Sequence, residues 1–107
     1  MNEKQRKILE DNFRIYDDEY ADKKALELET WTNGGVDMII YVDLIDNKNI
    51  IEELEEYVKN FDIDYEIDMY RQDKRYRDAF KITESVKDFE EWIEFVKNVI
   101  EKLKECE

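Results

Sequence analysis

The chain has 107 residues, 44% of them charged and 42% hydrophobic, with a formal net charge of −13 and no histidine or proline. That length holds one modest core in a single domain, residues 1–107, and fourteen aromatic residues supply enough apolar surface to fold it. Without histidine the usual general base and the commonest zinc ligand are missing, and no apolar run approaches the roughly 20 residues of a membrane span, so triad chemistry, ordinary zinc sites and membrane insertion are disfavoured.

Leu9, Phe13, Tyr16 and Tyr20 recur at steps of four, three and four, which predicts a helix over residues 3–22, although Asp17-Asp18 could divide it. From Leu26 the period changes to two. Leu26, Leu28 and Thr30 alternate with Glu27, Glu29 and Trp31, and Val36, Met38, Ile40, Val42 and Leu44 alternate with Asp37, Ile39, Tyr41 and Asp43. Asn33-Gly34-Gly35 accepts the positive φ of a tight turn, so residues 26–44 read as an antiparallel hairpin. If Trp31 and Tyr41 both point away from the core, they mark an interaction surface.

Asn49 with Glu52 resembles a capping box, and Ile50, Ile51, Leu54, Tyr57, Val58 and Phe61 form the buried stripe of the helix that follows. Residues 62–69 admit two readings. Ile63, Tyr65, Ile67 and Met69 alternate as in a half-buried strand, while Ile63, Ile67 and Tyr70 form a helical set behind an Asp62 cap, the reading we favour. Residues 71–77 hold the basic cluster Arg71, Lys74, Arg75 and Arg77, with Tyr76 and Phe80 to anchor a short element, and residues 81–83 read as an extended linker. Ser85 and Asp88 then resemble a second capping box before the clearest amphipathic stripe: Val86, Phe89, Trp92, Ile93, Val96, Val99, Ile100 and Leu103. Lys102 and Lys104 suit its C-terminal dipole. Cys106 stands alone, cannot form an internal disulfide, and is given no role. The fold class is therefore α+β: a two-stranded antiparallel sheet, three-stranded if residues 62–69 are extended, against three to four helices including a long C-terminal one.

The charge is local. Residues 27–68 hold thirteen acidic residues and two lysines, a net of −11 out of −13. Such a field repels DNA, RNA and anionic membranes. Glu52, Glu53, Glu55, Glu56, Asp62, Asp64, Glu66 and Asp68 are the candidate partner-binding residues. They are either the solvated backs of amphipathic elements or an imitation of duplex DNA, which carries one charge about every 1.7 Å along its axis. A calcium or magnesium site on Asp62, Asp64, Glu66 and Asp68 lacks the glycine and terminal glutamate of a calcium loop. The basic cluster is expected to pair with the neighbouring acids. No cofactor, metal or catalytic residue is expected.

RQDKRYRDAF and KITESVKDFEEW, spanning residues 71–92 after the WTNGGVDMIIYVDL hairpin, resemble small proteins of low-GC Gram-positive bacteria and of their phages and mobile elements. The likeness covers most of the chain after residue 26 and implies no particular activity. In size and acidity alone the chain is similar in type to anti-CRISPR and anti-restriction inhibitors. That similarity implies a non-enzymatic cytoplasmic protein occupying the nucleic-acid groove of a basic enzyme. The competing expectation is a regulatory or scaffolding module acting through apolar hairpin contacts, including as a homodimer along a strand edge.

Overall fold

Helix α1 (Glu3–Asn12) opens on a reciprocal cap: Asn2 Oδ1 accepts the Gln5 backbone N–H at 2.8 Å and Gln5 Oε1 accepts the Asn2 N–H at 3.1 Å. This computed structural model describes residues 1–18, 25–32, 37–43, 49–72 and 82–107. The helix ends at Asn12, ten residues short of the predicted end. Asn12 Nδ2 donates to the Ile8 carbonyl at 2.7 Å, Phe13 turns extended at φ −131° and ψ 155°, and the chain enters β1 (Arg14–Asp18). Leu9 and Phe13 are both buried, as their spacing requires. Beyond Phe13, pairing with β2 (Ala25–Trp31) prevails over helical continuation, and Tyr16 is left exposed. Arg6 ties the two elements together, with both guanidinium ends on Asp17 at 3.2 and 3.4 Å and Nε on Glu10 at 3.0 Å.

β2 pairs antiparallel with β3 (Asp37–Asp43), giving a meander in the order β1-β2-β3. The hairpin strands are those the alternation predicts; the Gly34-Gly35 turn lies outside the described residues. The third strand comes from the segment before the hairpin, not from residues 62–69. On one face the register sets Leu26 opposite Val42 and Leu28 opposite Ile40, with Ile15 beside Leu28. All but the half-buried Ile15 are shut off from solvent. The other face presents the rows Tyr16-Glu27-Tyr41 and Arg14-Glu29-Ile39.

α2 (Ile50–Asn60) starts at Asn49, whose side chain accepts the Glu52 N–H at 2.8 Å. Asn49→Ala should cost about 1 kcal/mol, seen as a lower urea midpoint at unchanged slope. α3 (Ile63–Gln72) resolves the ambiguous segment as helix: Asp62 Oδ1 accepts the Tyr65 N–H at 3.2 Å and Ile67 enters the core. The Tyr70 hydroxyl donates to the Asp37 carbonyl at 2.8 Å, pinning α3 to the start of β3. α4 (Ile82–Glu105) begins before the predicted Ser85 start. The expected extended linker is thus helical from Ile82 on, and Ser85 lies within the helix rather than at its cap, because neither proline nor glycine precedes it to stop the turn. Tyr76, Phe80 and the cluster Lys74, Arg75 and Arg77 lie outside the described residues.

α1, α2 and α3 each pack on α4, and α2 also flanks β3. Leu9, Leu28, Ile40, Leu54, Phe89, Val96 and Leu103 fill the shared core, each worth roughly 1.5–3 kcal/mol of burial. Asn2 Nδ2 donates to the Cys106 carbonyl at 2.9 Å, joining the start of α1 to the end of α4. Among the described residues no helix is long and apolar enough to cross a membrane.

Candidate functional site

The helical period divides the eight candidate carboxylates into two sets. Along α2, Glu53, Glu56, Tyr57 and Asn60 recur at steps of three, one and three, which sets them on one flank; Glu52 and Glu55 fall on another. At the junction with α3, Asp62 and Glu66 stand four residues apart on the same side. Glu53, Glu56, Asp62 and Glu66 consequently line one groove of about 370 Å³, walled by Tyr41 from β3 and by Tyr65. Glu52, Glu55, Asp64 and Asp68 are exposed and do not line it. Glu55 turns instead to Lys104 on α4 at 3.1 Å.

The same division separates the four acids of residues 62–68. The helix sends Asp64 and Asp68 away from the flank that holds Asp62 and Glu66, and among the described residues no group of three or more acids, cysteines or histidines is placed to hold a metal ion. Of the basic cluster, Arg71 is described and exposed in the last turn of α3.

The groove's shape is fixed from behind. Tyr57, read from the sequence as core, contributes one wall, and its hydroxyl accepts the Trp92 indole N–H at 3.0 Å. Burial keeps that hydroxyl protonated well above the usual tyrosine range. Its ring also packs on Phe61, with centroids 5.6 Å apart. The sequence reading named the acids and missed Tyr41, Tyr57 and Tyr65 as their neighbours. For Tyr57 the available signal was its place one residue after Glu56 and four after Glu53. No protein-family model, curated protein or solved structure matches the chain.

Glu66 is half-buried, and burial first, then the charge of Asp62, raises its pKa above the ordinary glutamate value. A carboxyl whose folded-state pKa is raised contributes stability that is fully present below its unfolded pKa and is lost as pH rises through the folded value. At neutral pH the ionised Glu66 is therefore a strain on the fold. Glu66→Gln should raise the melting temperature at pH 7, with the gain shrinking to nothing as pH falls below the ordinary glutamate range. A gain independent of pH in a calorimetric series would exclude this explanation.

The open face of the sheet is the other exposed feature. Trp31 is 61% exposed, Tyr41 54% and Ile39 47%, all at positions that alternate with the buried row of the sheet. Arg14 sits among them, its guanidinium pKa raised by hydrogen bonding to Tyr16 and by the charge of Glu29, which lies 3.9 Å away.

Proposed function

We propose that this chain is a non-enzymatic acidic inhibitor of anti-CRISPR or anti-restriction type, acting in the cytoplasm. It seats its groove on the basic, nucleic-acid-binding surface of a processing enzyme and competes with that enzyme's substrate. The observation that carries the reading is the convergence of Glu53, Glu56, Asp62 and Glu66 on one groove beside exposed Tyr41 and Tyr65. Like charges this close repel one another by a few tenths of a kcal/mol per pair, a cost that a Lys/Arg-lined partner surface removes on docking. Arginine in that partner also stacks on tyrosine while pairing with carboxylate.

The test is affinity capture from a nuclease-treated lysate of a low-GC Gram-positive bacterium, run at low and high salt with the bound proteins identified. Recovery of a basic nucleic-acid enzyme that is lost at high salt is the expected result, since exposed charge pairs are screened over about 10 Å at 0.1 M salt. Its activity on nucleic acid should fall as the acidic chain is added. A salt-resistant partner unrelated to nucleic acid would sink the proposal.

Such a partner belongs to the second reading, a regulatory or scaffolding module that docks through the apolar side of the hairpin. The exposure of Trp31, Ile39 and Tyr41 on one sheet face favours it. A second copy of the chain is one occupant this reading admits, and sedimentation of the purified protein tests for it.

A further inference from the structure

We propose that the cleft between the end of β2 and the first half of α4 binds a methylated ammonium ion. The cleft encloses about 230 Å³ and shares no residue with the acidic groove. Three aromatic rings wall it: Trp31 from the strand, Trp92 and Phe95 from the helix; Asp88, Glu91, Thr30 and Thr32 supply its polar lining. None of the described lining residues is basic.

The back wall is set before any ligand arrives. Trp92 and Phe95 stack at 5.8 Å and 24°, and Phe13 stands edge-on to both, at 6.2 and 5.4 Å. The Trp92 N–H is held by Tyr57 at 3.0 Å. A wall already ordered loses little side-chain freedom on binding, which is how preorganisation gains affinity. Trp31 forms the outer wall and remains mostly in water, the position of a ring that a ligand would cover.

The charge of the cleft selects the ligand's sign. Asp88, only 8% exposed, lines the cleft beside the three aromatic residues, whose ring faces carry negative potential. Glu91 is half-buried, and Lys87 reaches it from solvent at 3.9 Å. Sodium or a primary ammonium holds its hydration tightly and would surrender it to three apolar rings. A methylated ammonium has an apolar shell, sheds water readily, and gains from each ring face within about 6 Å. The volume lies below the roughly 300–1,000 Å³ of pockets for drug-sized ligands, so the cleft takes a head group and not a whole cofactor. That head group can come from a small molecule such as choline or from a methylated lysine side chain.

The chain's only two tryptophans both line the cleft, so intrinsic fluorescence reports on it directly. Choline chloride and the amide of N-acetyl-trimethyllysine should be titrated against sodium chloride at matched ionic strength and against 3,3-dimethylbutan-1-ol, the neutral carbon isostere of choline. The expected result is a saturable change with at least one of the two cations, none with sodium chloride, and binding of the alcohol weaker by about tenfold or more. Whichever cation binds more tightly identifies the source. Trp31→Ala on the rim and Asp88→Asn in the lining should each weaken that binding by a similar factor, while variants of Glu53 or Glu56 leave it unchanged. Silence with both cations would overturn the proposal. So would equal binding of the neutral alcohol, which marks an apolar slot, or full affinity in Trp31→Ala, a substitution at an exposed position that leaves the core intact.

Discussion

Trp92→Ala should remove about 3–5 kcal/mol of stability, a fifth or more of the roughly 5–15 kcal/mol that holds a domain of ordinary stability together. Trp92 is 3% exposed and is the point where three elements meet. It takes Phe13 edge-on from the end of α1, Tyr57 edge-on from α2, and stacks with Phe95 on its own helix. Its truncation opens a void against all of them and strips the Tyr57 hydroxyl of its donor. Urea denaturation followed by circular dichroism measures the loss, and Trp92→Phe, which keeps a ring but no N–H, should fall between the two. A loss under about 1 kcal/mol, the scale of an ordinary substitution, would mean that the ring cluster does not hold α1 and α2 to α4.

The second large effect is on partner binding. Glu53, Glu56, Asp62 and Glu66 reversed together to lysine shift the net charge from −13 to −5. Like charges forced together at an interface cost several kcal/mol, so a partner seated on the groove should lose at least about 100-fold in affinity. The informative control is Glu52, Glu55, Asp64 and Asp68 reversed to lysine, which makes the same change in net charge away from the groove. It breaks the exposed Glu55–Lys104 pair, which solvent screens and which holds little of the fold's stability. Groove recognition requires the control to retain most of the binding. Equal losses in both variants would reduce the effect to net charge, and a normal affinity in the first would end the proposal. Because Asp62 caps α3, circular dichroism of the first variant must accompany the assay.

Much of this architecture was legible because its patterns have single meanings. Leu26, Leu28, Ile40 and Val42 alternate and are buried on one sheet face; Phe89, Trp92, Val96 and Leu103 recur at helical spacing and are buried along α4. Asn49 caps where its chemistry says it should. Residues 14–18 were misread for a physical reason. β1 is an edge strand whose inward positions are Ile15 and Asp17, so it shows no alternation of apolar residues, while Phe13 and Tyr16 happen to extend the helical step from Leu9. Only pairing with β2, which lies outside the window in which the helical step is read, decides between the two. The candidate site was half legible for a similar reason. The sequence names eight acids, but which four face one groove depends on how α2 and α3 are rotated against β3, and the three tyrosines among them carry no sign of their placement.

The dependence of every other helix on α4 bears on how the chain is made. The sheet joins neighbouring segments, so β1, β2 and β3 can pair soon after they leave the ribosome. α1, α2 and α3 each pack on α4 as well, so Leu9, Leu54 and Ile67 lack part of their cover until Phe89 to Leu103, in the last of the described elements to be translated, are in place. At roughly 5–20 residues per second, the stretch from the end of α3 at Gln72 to the end of α4 at Glu105 takes about 2–7 s to make, and the parts of the earlier helices that face α4 stay uncovered for that time. The acidic residues of α2 and of the start of α3 give unfinished copies a like charge, so they repel one another while those faces are open.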